Sequence, residues 1–321
     1  MKTRRLALTE GILAGALFGT AAIFIRFLGK LDAFYIAFWR LVIACLVVAV
    51  MLVFLGSSFQ YKSVKKNLRQ LFILSFFLSL HFILFVSAVK DTSILNATVL
   101  VNTTPIFSVF ISSFVFNVKP SRLALLGLTI SFVGVLVIFQ GETMISGLNN
   151  TLNVFSTSLK GNLEAVLAAV VEAFYLNYGV KTRKRMNILP IMFPIYILTA
   201  AIIGILAIPV TDQIMTLPTE MTIILPLIGL GVLPTAMAHT LYFSSLSNLK
   251  SFETATMALL EPVGATILGI LLFQENPPQL FLFGAGLVLL GILFIAKKDG
   301  WRTSIQQNSK KDKLGPMRET G

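Results

Sequence analysis

Five ionisable side chains lie deep inside apolar stretches of the sequence, where a charge is costly and marks a functional or pairing role. These residues are Arg40, His81, Glu172, His239 and Glu261. A carboxyl or an imidazole in such a place can carry a proton or bind a charged ligand, because each exists in a charged and a neutral form. The set therefore predicts proton transfer or ligand binding inside a membrane.

Glu172 is the leading candidate of the five. It lies nine residues into its predicted helix, which is about 14 Å along the axis and close to the middle of a ~30 Å hydrocarbon layer. Glu164, Glu172 and Tyr175 share one helix face through i, i+8 and i+11 spacing. This stripe predicts a cavity wall in which Glu172 couples protons to substrate and Tyr175 shapes the pocket. Acids that only face a water-filled vestibule are the alternative.

His81 and Asn102 are further candidates for the same task. An imidazole exists in a protonated and a neutral form, so His81 can carry protons or bind substrate; a neutral ring that donates to a nearby carbonyl is the alternative. His239 is a weaker candidate, because it falls nearer the end of its predicted helix. Asn102 precedes Pro105 by three residues, and its amide can either bind substrate or satisfy carbonyls that the proline frees.

Arg40 and Glu261 are predicted to form a structural polar network. Arg40 is seven residues below one end of its span and Glu261 eight residues above the opposite end of its own. Their depths then differ by roughly 7 Å, which an extended arginine can bridge. Neither group is expected to stay charged alone in lipid, so we expect the two to pair or to share a network. Pro105 and Pro262 each leave a backbone carbonyl without its helical partner, and this network can cover such groups. Glu261 directly precedes Pro262.

The composition identifies the solvent around these residues. The chain has 321 residues, of which 56% are hydrophobic and 12% charged, against ~25% charged in soluble domains. That excludes a soluble enzyme. The single cysteine, Cys45, forms no metal-ligand set, and the sequence contains no Gly-x-Ser-x-Gly, His-Glu-x-x-His or GxxxxGK[ST] motif. We therefore expect neither an enzyme nor a nucleotide-driven pump, and no cofactor or metal.

Ten apolar runs are long enough to cross a membrane as helices. They cover about 8–28, 33–55, 70–89, 94–116, 122–140, 163–180, 188–209, 222–246, 253–274 and 279–296. The sequence thus predicts an all-α integral membrane protein with ten transmembrane helices.

The positive charges predict an orientation for these helices. Of the 26 Lys and Arg residues, 21 lie in the termini and alternate loops on one side, and only Lys30, Lys90 and Lys160 lie on the other. Cytoplasmic loops carry the excess, so both termini are predicted to be cytoplasmic in a multi-pass protein of the plasma membrane. The net charge of +12 then reflects orientation rather than nucleic-acid binding, and the basic tail 298–321 is predicted to be disordered.

The chain also repeats itself. A shift of 157 residues superposes Pro105 on Pro262, Pro120 on Pro277, Gly127 on Gly284 and Gly134 on Gly291. After a short segment 1–7, we therefore expect two five-helix repeats, 8–140 and 161–297, joined by an extracytoplasmic loop, 141–160. Five is an odd number, so the second repeat must be inverted in the membrane. Inverted repeats are typical of alternating-access carriers that bind substrate near the midplane, between the two halves.

Several short motifs in this order carry a family resemblance over about residues 8–297. They are Ala-Phe-Trp-Arg-Leu at 37–41, Pro-Ile-Phe at 105–107, Glu-Pro-Val at 261–263, and the glycine pairs of the fifth and tenth spans. The chain resembles the ten-helix, EamA-type members of the drug/metabolite transporter superfamily. That family usually has a Gly-Glu pair at the end of each repeat's fourth helix; here the second copy has Gln274-Glu275 and the first has Asn117-Val118.

The resemblance implies secondary transport that exports small metabolites, such as amino acids or related compounds, or toxic compounds. The expected partners are a small-molecule substrate and the lipid bilayer, for a protein that is a monomer or a homodimer. A nucleotide-sugar or organic-phosphate antiporter is the alternative within the superfamily, although such anions favour several cationic cavity residues and only Arg40 is well placed. A channel or receptor is the alternative outside it.

Overall fold

The computed structural model describes residues 3–55, 60–92, 94–145, 159–211, 214, 216–273 and 279–297. None of these residues lies in a β-strand. The predicted tail 298–321, most of the predicted loop 141–160, and the Gln274-Glu275 pair lie outside them. The expectation of an all-α chain is therefore confirmed for the described residues.

Fifteen α-helices and two short segments of other helix types make up the described part of the chain. The first eight helices are α1 (Arg4–Phe18), α2 (Ala21–Phe27), α3 (Ala33–Phe54), α4 (Tyr61–Lys66), α5 (Leu68–Asp91), α6 (Ile94–Val101), α7 (Thr104–Phe114) and α8 (Arg122–Ile145). The others are α9 (Leu159–Arg183), α10 (Ile188–Ala207), α11 (Met221–Leu230), a π-helix (Gly231–His239), α12 (Thr240–Ser245), α13 (Ser251–Met257), a 3₁₀ turn (Ala258–Leu260), α14 (Glu261–Phe273) and α15 (Gln279–Lys297).

Seven helical stretches among the described residues are long and apolar enough to cross a membrane. They are Arg4–Phe27, Ala33–Phe54, Leu68–Asp91, Asn96–Phe114, Leu159–Arg183, Ile188–Ala207 and Met221–Ser245. Shorter apolar helices cover Arg122–Ile138 and Leu280–Ala296. Large apolar side chains such as Phe54, Phe114 and Leu282 are exposed on the outside of the bundle, as a lipid-facing surface requires. The chain is a multi-pass membrane protein.

Prolines interrupt the helices beside the polar residues that the sequence singles out. Pro105 has no N–H to offer Val101, the residue four positions earlier, so α6 ends at Val101 and α7 begins at Thr104. The hydroxyl of Thr104 donates to the freed carbonyl of Val101 at 2.8 Å. In the second half a 3₁₀ turn stands at the corresponding place, directly before Glu261 and Pro262. Each interruption is therefore satisfied locally and places polar side chains inside the bundle.

The helices α8 and α15 run antiparallel and pack at backbone distance. A Cβ atom added to Gly127 would lie 2.6 Å from the carbonyl oxygen of Gly291, and one added to Gly134 would lie 2.6 Å from that of Gly284. Small residues allow such close approach between membrane helices. In the rest of the bundle, α5 packs along α9 and α3 along α10, and these four helices contribute to the largest buried apolar cluster.

Candidate functional site

A small cavity lies in the interior between helices from both halves of the chain. Its polar wall residues are Arg40, His81, Asn102, Thr104, Glu172, His239 and Glu261, and its apolar wall residues include Phe18, Phe82 and Phe85. All five ionisable residues that the sequence singles out therefore meet at one place. The cavity volume is about 30 Å³, which holds one or two water molecules. Helices must move apart before a larger molecule can enter.

Glu172 and His81 are neighbours in this cavity. The hydroxyl oxygen of Thr104 lies 3.1 Å from a Glu172 carboxyl oxygen, to which it can donate in place of Val101, and His81 Nδ1 lies 3.8 Å from the same carboxyl oxygen. His81 Nδ1 also lies 3.2 Å from the carbonyl oxygen of Ala168, to which it can donate when it carries the hydrogen. The arrangement brings an acid, a base and a hydroxyl together, and a proton can pass between such groups with little movement.

His239 lies close to His81, although the sequence makes it the weaker candidate. The two imidazole centroids are 6.0 Å apart, and His239 Nδ1 has no hydrogen-bond partner among the described residues. The histidines are 158 residues apart, and Phe85 follows His81 at the same spacing as Phe243 follows His239. This spacing is one residue longer than the 157-residue shift of the proline and glycine markers, so those markers alone do not pair the two histidines.

Arg40 and Glu261 line the same cavity but do not bond to each other. Arg40 Nε donates to the hydroxyl of Thr235 at 2.9 Å, and its guanidinium carbon lies 4.2 Å from the ring centroid of Phe82. The Glu261 carboxyl instead accepts from the amide nitrogen of Asn102 at 3.3 Å. The expected direct pair is thus replaced by two separate interactions. The physical reason is that the π-helix presents Thr235 to Arg40, and the turn directly after α6 presents Asn102 to Glu261.

Tyr175 is not among the residues that line this cavity. Its ring packs against Phe243, with centroids 5.2 Å apart, and its hydroxyl has no hydrogen-bond partner among the described residues. Glu164 lies 3.7 Å from Lys160, which also bonds to Asp91. Of the predicted stripe on α9, only Glu172 lines the cavity. Glu164 lies at a different depth, beside Lys160, and Tyr175 faces Phe243 instead.

Polar contacts that the sequence did not reveal join the helices further along the bundle. The amide nitrogen of Asn177 donates to the Ser108 hydroxyl at 3.0 Å, and the Ser251 hydroxyl donates to the Asn177 oxygen at 2.6 Å. Arg4 forms a two-point contact with Glu253, at 3.2 and 3.4 Å. These contacts close the end of the bundle at which α1 begins. Their sequence positions do not predict such partners, because the partners depend on how each helix is rotated in the bundle.

The chemistry available in the cavity is proton exchange and binding of a charged or polar ligand. Among the residues that the structure describes, no group of three or more His, Cys, Asp or Glu side chains is arranged to hold a metal ion. The cavity combines two carboxyls, two imidazoles and one guanidinium with aromatic walls. That combination suits transient binding inside a membrane bundle.

Comparison with known sequences agrees with this class of protein. The profile of the EamA-like transporter family matches residues 6–140 and again 159–297, and the chain belongs to that family. The uncharacterized transporter YxxF of Bacillus subtilis is 22% identical over 93% of this chain and 92% of its own length. The uncharacterized transporter YdfC of the same organism is 29% identical over 71% of each chain. The protein is therefore a membrane transporter of the drug/metabolite type.

Other comparisons extend over different shares of the chain. An uncharacterized transporter of Clostridium kluyveri is 24% identical over 206 residues, which are 64% of this chain and 64% of the relative. One solved crystal structure is similar with a TM-score of 0.72 at 16% identity, covering 91% of this chain and 97% of the other. At that identity the likeness shows the fold alone.

Proposed function

We propose that the protein is a secondary carrier that exports small metabolites, such as amino acids or related compounds, or toxic compounds, by alternating access. One observation carries the proposal: five buried ionisable residues, drawn from both family-matched segments, line one cavity. Arg40 and His81 come from the first segment, and Glu172, His239 and Glu261 from the second. A site shared by two repeats can open to either side when one repeat rocks against the other.

The proposed architecture is ten transmembrane helices in two inverted five-helix repeats, 8–140 and 161–297, with both termini in the cytoplasm. The double family match supports two copies. The antiparallel packing of α8 on α15 supports their inversion, because these are the last helices of the two copies and they cross through matching glycines. The excess of Lys and Arg on one side supports cytoplasmic termini in the plasma membrane.

The proposed energy source is a proton gradient that acts through Glu172. The protonated carboxyl carries no charge, so it can pass between outward and inward states without the cost of moving a bare charge through lipid. The ionised carboxyl attracts a cationic group on the substrate. His81 and Thr104, which lie within 3.8 Å of the carboxyl, can stabilise either form. Proton and substrate would then compete for the same residue.

The test begins with the substrate. Metabolite levels compared between cells with and without the protein identify candidates, and a labelled candidate is then followed in proteoliposomes. Accumulation against its own gradient when a pH gradient is imposed supports the carrier, and an ionophore that collapses the pH gradient should abolish it. Flux that only ever runs down the substrate gradient would favour facilitated efflux or a channel. Binding without any flux would favour a receptor.

An antiporter of nucleotide sugars or organic phosphates remains the alternative within the superfamily. The cavity wall holds one guanidinium, Arg40, and no lysine. A phosphate group that carries about two negative charges is bound best by several Arg or Lys side chains. The same proteoliposomes, loaded with inorganic phosphate and supplied with a sugar nucleotide, distinguish the two: counterflow would support the antiporter.

A further inference from the structure

The guanidinium of Arg40 is held in place by two contacts and is left with an unpaired donor. The side chain is 1% exposed. Its Nε donates to Thr235 at 2.9 Å, while its guanidinium carbon lies over the ring of Phe82, 4.2 Å from the ring centroid. Its Nη1 is buried and has no hydrogen-bond partner among the described residues. A buried, charged donor without a partner is costly, so a partner is expected to arrive from elsewhere.

The carboxyls of the cavity do not supply that partner. Glu261 accepts from Asn102, and Glu172 accepts from Thr104 and lies beside His81. Neither carboxyl is within 4.0 Å of the arginine, the limit for a salt bridge, although all of these groups line one cavity. The Thr235 hydroxyl that receives Arg40 is itself fixed, because it donates to the carbonyl of Leu230 at 2.6 Å. The arginine is thus oriented by the protein but not neutralised by it.

We infer that Arg40 is a binding residue for a carboxylate group of the transported molecule, a role beyond the structural one that its sequence position suggests. The inference rests on the proposed function. A guanidinium presents a planar fork of N–H donors that matches a carboxylate. Phe18, Phe82 and Phe85 line the same cavity and provide apolar surface for the rest of the ligand. One fixed cation suits a singly charged carboxylate better than a phosphate.

The test compares matched compounds on the purified full-length protein in detergent. The probes are 3-phenylpropanoate and its uncharged amide, which share one shape, together with phenylalanine, 2-phenylethylamine and phenyl phosphate. Binding is measured by calorimetry and by the shift of the thermal unfolding midpoint. The wild type should bind the acid about tenfold more tightly than the amide. The affinity for phenylalanine, compared with that for 3-phenylpropanoate, shows whether the site prefers a carboxylate that is part of a zwitterion.

Two arginine variants assign the effect to a residue. Arg40→Lys keeps the charge but loses the fork, and should lose the acid preference by about tenfold while its affinity for the amide stays unchanged. Arg26→Lys is the matched control, because Arg26 is exposed on α2, and it should behave as the wild type. If Arg40→Lys does not fold, Thr235→Val serves instead: it frees Nε and should weaken acid binding by about threefold.

Several outcomes would overturn the inference. For the wild type they are no binding of any carboxylate, equal affinity for the acid and the amide, or tighter binding of phenyl phosphate than of the acid. For the variant, the outcome is an acid preference that stays unchanged in Arg40→Lys, or in Thr235→Val where that variant replaces it. Transport without a preference for the acid would refute the binding role of Arg40 and leave the carrier proposal standing. A preference for the acid without any flux would refute the carrier and leave the binding role, so the two proposals fail separately.

Discussion

The hydroxyl of Ser131 donates to the carbonyl oxygen of Val288 at 3.1 Å, and the two residues are 157 positions apart. This is the shift that superposes the first copy of the repeat on the second, so Ser131 contacts its own counterpart. One helical turn away on each side, Gly127 contacts Gly291 and Gly134 contacts Gly284. Each glycine thus contacts the counterpart of the other, since the shift relates Gly127 to Gly284 and Gly134 to Gly291. Contacts of this kind surround a two-fold axis, and an axis between antiparallel helices supports the proposed inversion of the two copies.

Inversion predicts that equivalent residues lie on opposite sides of the membrane. Arg122 and Gln279 are the first residues of α8 and α15 and are related by the repeat. In a background without Cys45, Arg122→Cys should be shielded from an impermeant thiol reagent added to intact cells, and Gln279→Cys should be labelled. Opening the membrane should make Arg122→Cys reactive and serves as the control. Labelling of both from the outside would refute the inversion.

The close packing of α8 on α15 predicts a strong dependence on glycine. A Cβ atom at Gly134 would lie 2.6 Å from a backbone carbonyl oxygen, which cannot move aside as a side chain can. Gly134→Ala should therefore lower the free energy of unfolding by about 1–3 kcal/mol, measured by thermal or denaturant unfolding in detergent. Gly286→Ala on α15 is the matched control, because nothing lies within 4 Å of its added Cβ. Equal effects of the two substitutions would contradict this account.

The sequence predicts helices and buried polar positions, because the two strongest signals are physical necessities. Apolar runs of sufficient length must be helical in lipid, and an ionisable residue in such a run needs a polar environment. Arg40, His81, Glu172, His239 and Glu261 were each selected on that ground, and all of them line one cavity. Depth along a helix was therefore enough to select the five ionisable residues of the wall, but not Thr104 or the aromatic residues beside them.

Partners within the site were harder to predict, because they depend on helix rotation and on local breaks. The π-helix that ends at His239 turns Thr235 toward Arg40, and no sequence rule specifies nine residues of π-helix. The same uncertainty about rotation explains why Tyr175 was expected in the pocket but packs against Phe243. Depth follows from counting residues, whereas orientation follows from packing that a single sequence does not reveal.

The end of the bundle at which α1 begins should depend on Arg4. Its guanidinium contacts Glu253 on α13 at 3.2 Å and donates to the carbonyl of Ile295 on α15 at 3.0 Å. Arg4→Gln removes this guanidinium from a carboxylate that is 2% exposed, and should cost about 2 kcal/mol of stability. Arg5→Gln, at the exposed neighbouring position, should change the unfolding midpoint little. If both variants unfold alike, the contact does not hold the helices together.

Glu172 should determine the response of transport to a pH gradient. In proteoliposomes that contain a substrate found by the metabolite screen, the wild type should accumulate it when a gradient is imposed. Glu172→Gln keeps the shape and the contact with Thr104 at 3.1 Å but cannot release a proton. Its flux should therefore become insensitive to the gradient while exchange of labelled for unlabelled substrate continues.

Glu164→Gln is the matched control for that measurement, because Glu164 lies on the same helix beside Lys160 and outside the cavity wall. It should respond to the gradient as the wild type does. Should Glu172→Gln also respond as the wild type, Glu172 is not the coupling residue, and His81, 3.8 Å away, is tested next as His81→Gln. A wild type that ignores the gradient altogether would instead support efflux driven by the substrate's own gradient, since no ionisable group would then need to change its charge during the cycle.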